Sequence, residues 1–192
     1  MCCAGPLTLL TDTCPDMPNK NSLRRNAVAD VFHHPDGAVM RCQSDLVGVL
    51  VTHDERRLIG IRAIDAGVLL FRITGQETPI PTRHSLQVGR DLHLDQSCAR
   101  NMDDVVLHYF WRYMNHHCEP TTIIRDRSVC SLRAIEPGES VTFDYNTTEY
   151  DLAEPFACHC GSAQCVGVVR GARHLAAEQR ARVEQWLPDY LR

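Results

Sequence analysis

The sequence predicts a mainly β, α+β domain of several small twisted sheets, and three observations lead there. Short β-branched and apolar runs of strand length recur from Asp45 onward, separated by turn residues such as Asp54-Glu55, Asp65-Ala66-Gly67 and Gly75. Only two stretches, residues 101–113 and 175–187, set their apolar residues at helical spacing. Strands and helices do not alternate, which argues against a parallel βαβ sheet.

In chain order, residues 1–42 mix Pro6, Pro15, Pro18 and Pro35 with Asn19 and Asn21 and show no sustained period. An irregular leader is expected there, with a short strand near residues 28–32. Residues 46–52, 58–64 and 68–74 read as strands, Pro79 and Pro81 interrupt the next segment, and residues 85–88 form another short strand. Asn101 is placed to cap a helix over residues 101–113, with Asp103 and Asp104 in the first turn, where the helix dipole favours anions. That helix is expected to end in the polar turn Asn115-His116-His117 ahead of Pro120. Strands follow at residues 121–124, 129–132 and 141–143, with Glu136-Pro137-Gly138-Glu139 turning the chain before the last. The expected division is leader 1–42, main domain 43–148, a cysteine-rich segment 149–171 and a C-terminal helix within 172–192 that Pro188 stops.

At 192 residues the chain is long enough to bury a core of its own, and its 44% apolar and 23% charged residues are those of an ordered globular protein. A formal net charge of -4 argues against direct nucleic-acid binding, which needs clustered cations, and is compatible with a basic peptide partner. No apolar run reaches membrane-spanning length, and residues 1–18 lack the pattern of a secretory signal, so an intracellular protein, cytoplasmic or nuclear, is expected. Cys2-Cys3 by itself is weak evidence of acylation. In a reducing compartment the ten cysteines are better read as thiols and metal ligands than as a disulfide framework.

Cys158, Cys160 and Cys165 are close enough in sequence to converge on one ion, with Gly161 and Ser162 turning the chain between them. Zinc takes four thiolate or imidazole ligands at tetrahedral corners, and a full set makes a structural site. For the fourth corner Cys118, His116, His117 and His159 all stand as candidates. A lone Tyr145 reads as a buried structural tyrosine, and Asn115 and His116 alone as residues closing a helix.

Taken together, Asn115-His116-His117-Cys118-Glu119-Pro120, then Gly138-Glu139-Ser140-Val141-Thr142-Phe143-Asp144-Tyr145, then Cys158, Cys160 and Cys165 resemble the SET-domain protein-lysine methyltransferases with their post-SET zinc motif. The resemblance is strong over residues 112–171 and fainter over residues 56–94. It implies a SET fold with a knot-like threaded segment, S-adenosylmethionine as methyl donor, structural zinc, and a protein or peptide substrate presenting an accessible lysine. By the same resemblance Cys118 completes the zinc set, Tyr145 is the principal catalytic residue, and Phe143 holds the position where Phe permits more than one methylation. Ile59, Gly60, Arg112, Tyr113, Asn115 and His116 match the cofactor-binding positions.

The chain departs from the family pattern at Leu58-Ile59-Gly60, where many members carry a second glycine, and at Ile73-Thr74-Gly75-Gln76, where a channel tyrosine is common. A polar group for the channel must then come from elsewhere, with Tyr109, Tyr113, Tyr150 and His84 as candidates. An active methyltransferase is the first expectation; a SET-fold binding protein with weak or no transfer is the second. A zinc module on an unrelated β domain is the third, and it leaves Asn115, His116 and Tyr145 unexplained.

Overall fold

Because most apolar runs are only four or five residues long, none builds a broad sheet, and the chain spreads its strands over several small ones. The computed structural model describes residues 33–192; the strand expected near residues 28–32 and the Cys2-Cys3 pair lie outside the described residues. The first sheet is antiparallel in the order β1 (Ala38–Arg41), β2 (Val47–Val51), β3 (Arg56–Gly60). Strand β1 falls within the leader expected to be irregular: residues 38–41 pair in register with residues 48–51 and satisfy the outer edge of β2.

Strand β4 (Leu69–Arg72) belongs to a second sheet completed later in the chain. Between them, β5 (Gln76–Thr78), β6 (Leu86–Gly89) and β7 (Leu92–Asp95) form a third sheet with β7 in the middle. The helix expected over residues 101–113 is shorter. It runs as α1 (Met102–His108), capped by the Asn101 side chain on the Asp104 amide at 2.9 Å, and tightens into a 3₁₀ turn over Phe110–Tyr113. Burial drives the change: Phe110 meets Phe71 edge-on at 4.8 Å and the Trp111 indole N–H donates to the Thr74 carbonyl at 2.9 Å, so consecutive aromatics turn inward.

Strands β8 (Asn115–His116), β9 (Thr122–Arg125), β10 (Ser128–Ser131) and β11 (Thr142–Phe143) follow. Asp126 and Arg127 join β9 to β10 with φ of 45° and 64°, the two-residue turn whose twist suits a hairpin. Strand β10 also pairs with β4, closing the second sheet. Beyond residue 149, β12 (Phe156–Ala157) pairs with β13 (Val168–Val169), and the expected continuous C-terminal helix is instead α2 (Ala177–Val183) between short 3₁₀ turns. Those turns let Ala172, Val183, Leu187 and Leu191 meet in a small core of their own. The main core gathers Val47, Leu58, Leu94 and Val129 from the three larger sheets, with Val141 from the segment just before β11. No helix among the described residues is long and apolar enough to cross a membrane.

Candidate functional site

Asn115 and His116, expected in a turn, are the strand β8, paired in parallel with β11 so that Asn115 faces Thr142 and His116 faces Phe143. Asn and His are poor strand formers; tertiary pairing overrides that preference here. A buried hydroxyl network fixes the register. The Thr142 amide donates to the Thr121 hydroxyl at 2.8 Å, the Thr121 amide to the Thr142 hydroxyl at 3.1 Å, and the Thr122 hydroxyl to the Thr142 carbonyl at 2.8 Å. The pairing brings Tyr145, just past β11, onto the His116 ring at 5.4 Å between centroids, with Phe143 at 4.6 Å and Phe156 at 5.9 Å completing an aromatic cluster.

Hydrogen bonds fix the two polar rings. The Tyr145 hydroxyl donates to the Met114 carbonyl at 2.8 Å. Burial, with the charge of Glu149, pushes its pKa up to about 12, so it stays a phenol. The Tyr145 amide donates to His116 Nδ1 at 3.3 Å, which leaves Nε2 to carry the proton toward the Cys118 sulfur at 3.2 Å. Burial, then His117, lowers the His116 pKa to about 4 and keeps the ring neutral.

These residues line a cleft of about 800 Å³, in the range of small-molecule sites. Arg112, Tyr113, Asn115, His116, Phe143 and Tyr145 all reach it. Arg112 lies over the Tyr113 ring at 5.5 Å, and the buried Tyr113 hydroxyl has no hydrogen-bond partner among the described residues, leaving a polar atom available to a ligand. Ile59 and Gly60, expected at the cofactor, are not among the residues that line the cleft. The backbone of β3 there is already used: Val141 N donates to Leu58 O at 2.8 Å, Gly60 N to Glu139 O at 2.9 Å, and Gly138 N to Gly60 O at 2.8 Å. Arg56, which opens that strand, and Asp54 and Glu55 just before it line the cleft instead. Trp111, Glu149 and Phe156 also line it and were not singled out from the sequence. Their one sequence signal was proximity to the Tyr113, Tyr145 and Cys158 motifs. Of the substitutes considered for the missing channel hydroxyl, Tyr113 and His84 reach the cleft; Tyr109 and Tyr150 do not.

The four cysteine sulfurs of Cys118, Cys158, Cys160 and Cys165 lie within 4.8 Å of one another, and Cys118 and Cys158 are 3.9 Å apart. A zinc ion with Zn–S bonds of about 2.3 Å separates its sulfurs by about 3.8 Å, so the cluster fits a tetrahedral thiolate site. Amides of Val166 and Gly167 point at the Cys118 and Cys165 sulfurs, each at 3.4 Å, as donors that favour thiolates. Burial pushes the Cys158 thiol up to about 11, so the four sulfurs would ionise together only with a cation among them. His117 Nδ1 accepts from the Glu119 amide at 3.0 Å, His116 sits behind Cys118 rather than in the set, and His159 is exposed on the cleft side. The geometry therefore favours Cys118 as the fourth ligand among the four candidates.

A model of the SET domain matches residues 19–146. The chain belongs to the SET-domain family. Methyltransferase flvH of Aspergillus flavus is 32% identical to it over 136 residues, covering 68% of each chain. The H3 lysine-36-specific histone-lysine N-methyltransferase of Chaetomium globosum is 35% identical over 141 residues, which are 64% of this chain and 16% of that protein. Among solved structures, KRYPTONITE in complex with mCHG DNA and SAH superposes with a TM-score of 0.50 at 18% identity, covering 67% of this chain and 30% of that one, a likeness of fold. This SET domain thus corresponds to a small part of the larger histone enzyme, and the cysteine segment lies beyond the family match.

Proposed function

We propose that this SET-domain protein transfers a methyl group from S-adenosylmethionine to the side-chain amine of a protein lysine. The observation that carries the reading is the meeting, at one cleft, of the paired strands β8 and β11 with the Tyr145 hydroxyl. Arg112, Tyr113, Asn115 and His116 would hold the donor on one side, joined by Arg56 at the start of β3. When bound, S-adenosylmethionine supplies an electrophilic methyl group on a sulfonium sulfur. The protein's part is mostly positioning: a neutral amine has to be held in line in a narrow, water-poor space. Tyr145, its hydroxyl proton committed to Met114, presents oxygen lone pairs that orient the amine, and the Phe143 ring beside it sets how much room the nitrogen has. Zinc held by Cys118, Cys158, Cys160 and Cys165 would order the segment that carries Phe156 to the cleft.

The name of the Chaetomium relative makes histone H3 the first substrate to test, and the net charge of -4 suits a basic peptide. An intracellular site of action, cytoplasmic or nuclear, goes with that substrate class. A second reading, a SET-fold binding protein with little turnover, is favoured by Ile73, which lines the cleft where a channel hydroxyl is common. Labelled-methyl transfer to core histones and to desalted lysate, by wild type and Tyr145→Phe, separates the two. Transfer by wild type that Tyr145→Phe loses supports the enzyme. Calorimetric binding of the donor without transfer to either acceptor supports the binding protein.

A further inference from the structure

Glu149 is a carboxyl the methyl-transfer geometry leaves unused. It is 6% exposed, yet it lines the same cleft as Ile73, Leu86 and Tyr145. Its placement is built rather than incidental. Oε1 accepts the Gln87 amide at 2.8 Å, and the Gln87 side chain is itself pinned, accepting from Tyr150 N at 2.7 Å and donating to Gly89 O at 2.8 Å. The Glu149 backbone is held on both sides, its N–H on Tyr145 O at 2.9 Å and its carbonyl taking Ala172 N–H at 2.8 Å.

The titratable groups facing it are two phenols: Tyr145, and Tyr190 from the C-terminal turn, whose hydroxyl donates to Gln87 O at 2.9 Å and Thr148 O at 3.2 Å. Neither phenol is ionised at neutral pH, and no cationic side chain among the described residues is paired with Glu149. A buried, cleft-facing carboxylate without a cation is costly unless a cation arrives. An incoming lysine is such a cation.

We infer that Glu149 receives the ammonium group of the target lysine at the cleft and takes one of its protons. This assignment rests on the lysine-methylation reading above and deepens it. It also answers the missing channel hydroxyl: Glu149 brings a polar group to the cleft that Ile73 lines without one. In the step, one N–H bond of the ammonium breaks and one O–H bond forms on the carboxylate, so a +1 and a -1 group become two neutral ones. The freed nitrogen lone pair then forms the N–C bond as the donor's S–C bond breaks, giving a methylammonium and a neutral thioether. The Glu149 proton afterwards leaves to solvent through the cleft mouth. Burial, set against the Gln87 amide and the Thr148 hydroxyl, raises the Glu149 pKa to about 7, near the pH at which such an acceptor works best.

The test compares kcat/KM on core histones from pH 5.5 to 10 for wild type and Glu149→Gln, whose amide oxygen can still accept from Gln87. Wild type should rise through one ionisation near neutrality and level off. Glu149→Gln should lose that limb, fall by about 100-fold at pH 7.5 and climb toward the intrinsic lysine pKa of about 10.4, converging on wild type at the alkaline end. A purely structural role lowers the whole profile in parallel, and that outcome overturns the assignment. A second readout needs neither turnover nor a variant: carbon-13 NMR of glutamate carboxyls should show one group titrating near neutrality, its midpoint lowered by added n-butylammonium. A midpoint unmoved by n-butylammonium also overturns it. Absence of transfer by wild type at every pH fails the methyltransferase reading itself, whereas transfer with parallel profiles fails only the role of Glu149.

Discussion

The Tyr145 hydroxyl donates to the Met114 carbonyl at 2.8 Å, so the second residue past β11 is tied to the residue that precedes β8. One hydrogen bond thus spans both halves of the parallel pair and fixes where the phenol oxygen stands in the cleft. Tyr145→Phe should cost the fold only about 1 kcal/mol, the usual worth of one such bond. Transfer should fall by about 100-fold or more, because the lost group orients the reacting amine. Urea unfolding beside labelled-methyl transfer checks both; a loss of stability large enough to account for the lost activity would contradict the positioning role.

Cys165→Ser removes one corner of the thiol cluster whose sulfurs lie within 4.8 Å. Metal analysis of wild type should find one zinc per chain, and the variant should bind it at least about 10-fold more weakly. Chelation of wild type should speed amide exchange in β12 and β13, whose two-residue ladder is too short to hold itself. Equal zinc affinity in the two proteins is the outcome that counts against the site.

Glu149 also makes a stability prediction whose sign is fixed by its raised pKa. A carboxyl that titrates near about 7 when folded holds its proton more tightly folded than unfolded. Its contribution is therefore fully present below the unfolded pKa of about 4.3 and is lost as pH rises through about 7. Asp144, raised by burial to about 6, acts in the same direction over a lower range. Glu149→Gln should flatten this decline and be more stable relative to wild type at pH 8 than at pH 5 by about 2–3 kcal/mol, read from urea midpoints.

Gly171 sits at φ 104°, where an added Cβ would lie 2.7 Å from the Tyr150 carbonyl oxygen. Its amide donates to Asn146 Oδ1 at 3.1 Å, joining the segment after β13 to the turn after Tyr145. Gly171→Ala should destabilise by about 1–3 kcal/mol through strain and contact. Thermal unfolding reads the loss directly; a variant as stable as wild type would show that the backbone relaxes at no cost.

Much of the architecture was legible in local pattern. The runs that became β2, β3, β4, β9, β10 and β11 are rich in Val, Ile, Leu and Phe, residues that fit a half-buried pleated surface. Strands β1, β5, β7, β12 and β13 are not predicted by local pattern, because each becomes a strand only where a neighbour supplies the hydrogen bonds. The helix over residues 101–113 has the expected place and cap but is shorter, since helical spacing cannot register that Phe110 and Trp111 both have partners to bury against.

The motif residues by themselves determined the family resemblance and three of the thiols, Cys158, Cys160 and Cys165, because spacing and residue chemistry survive in one dimension; Cys118 as the fourth and the meeting of Tyr145 with Asn115-His116 came only as what that resemblance implies. Only the tertiary structure decided which of them share the cleft. It turned Asn115-His116 from a turn into a strand and drew Glu149 in. It also closed Ile59 and Gly60 off behind residues 138–141, since backbone groups already hydrogen-bonded to a neighbouring segment cannot also receive a ligand.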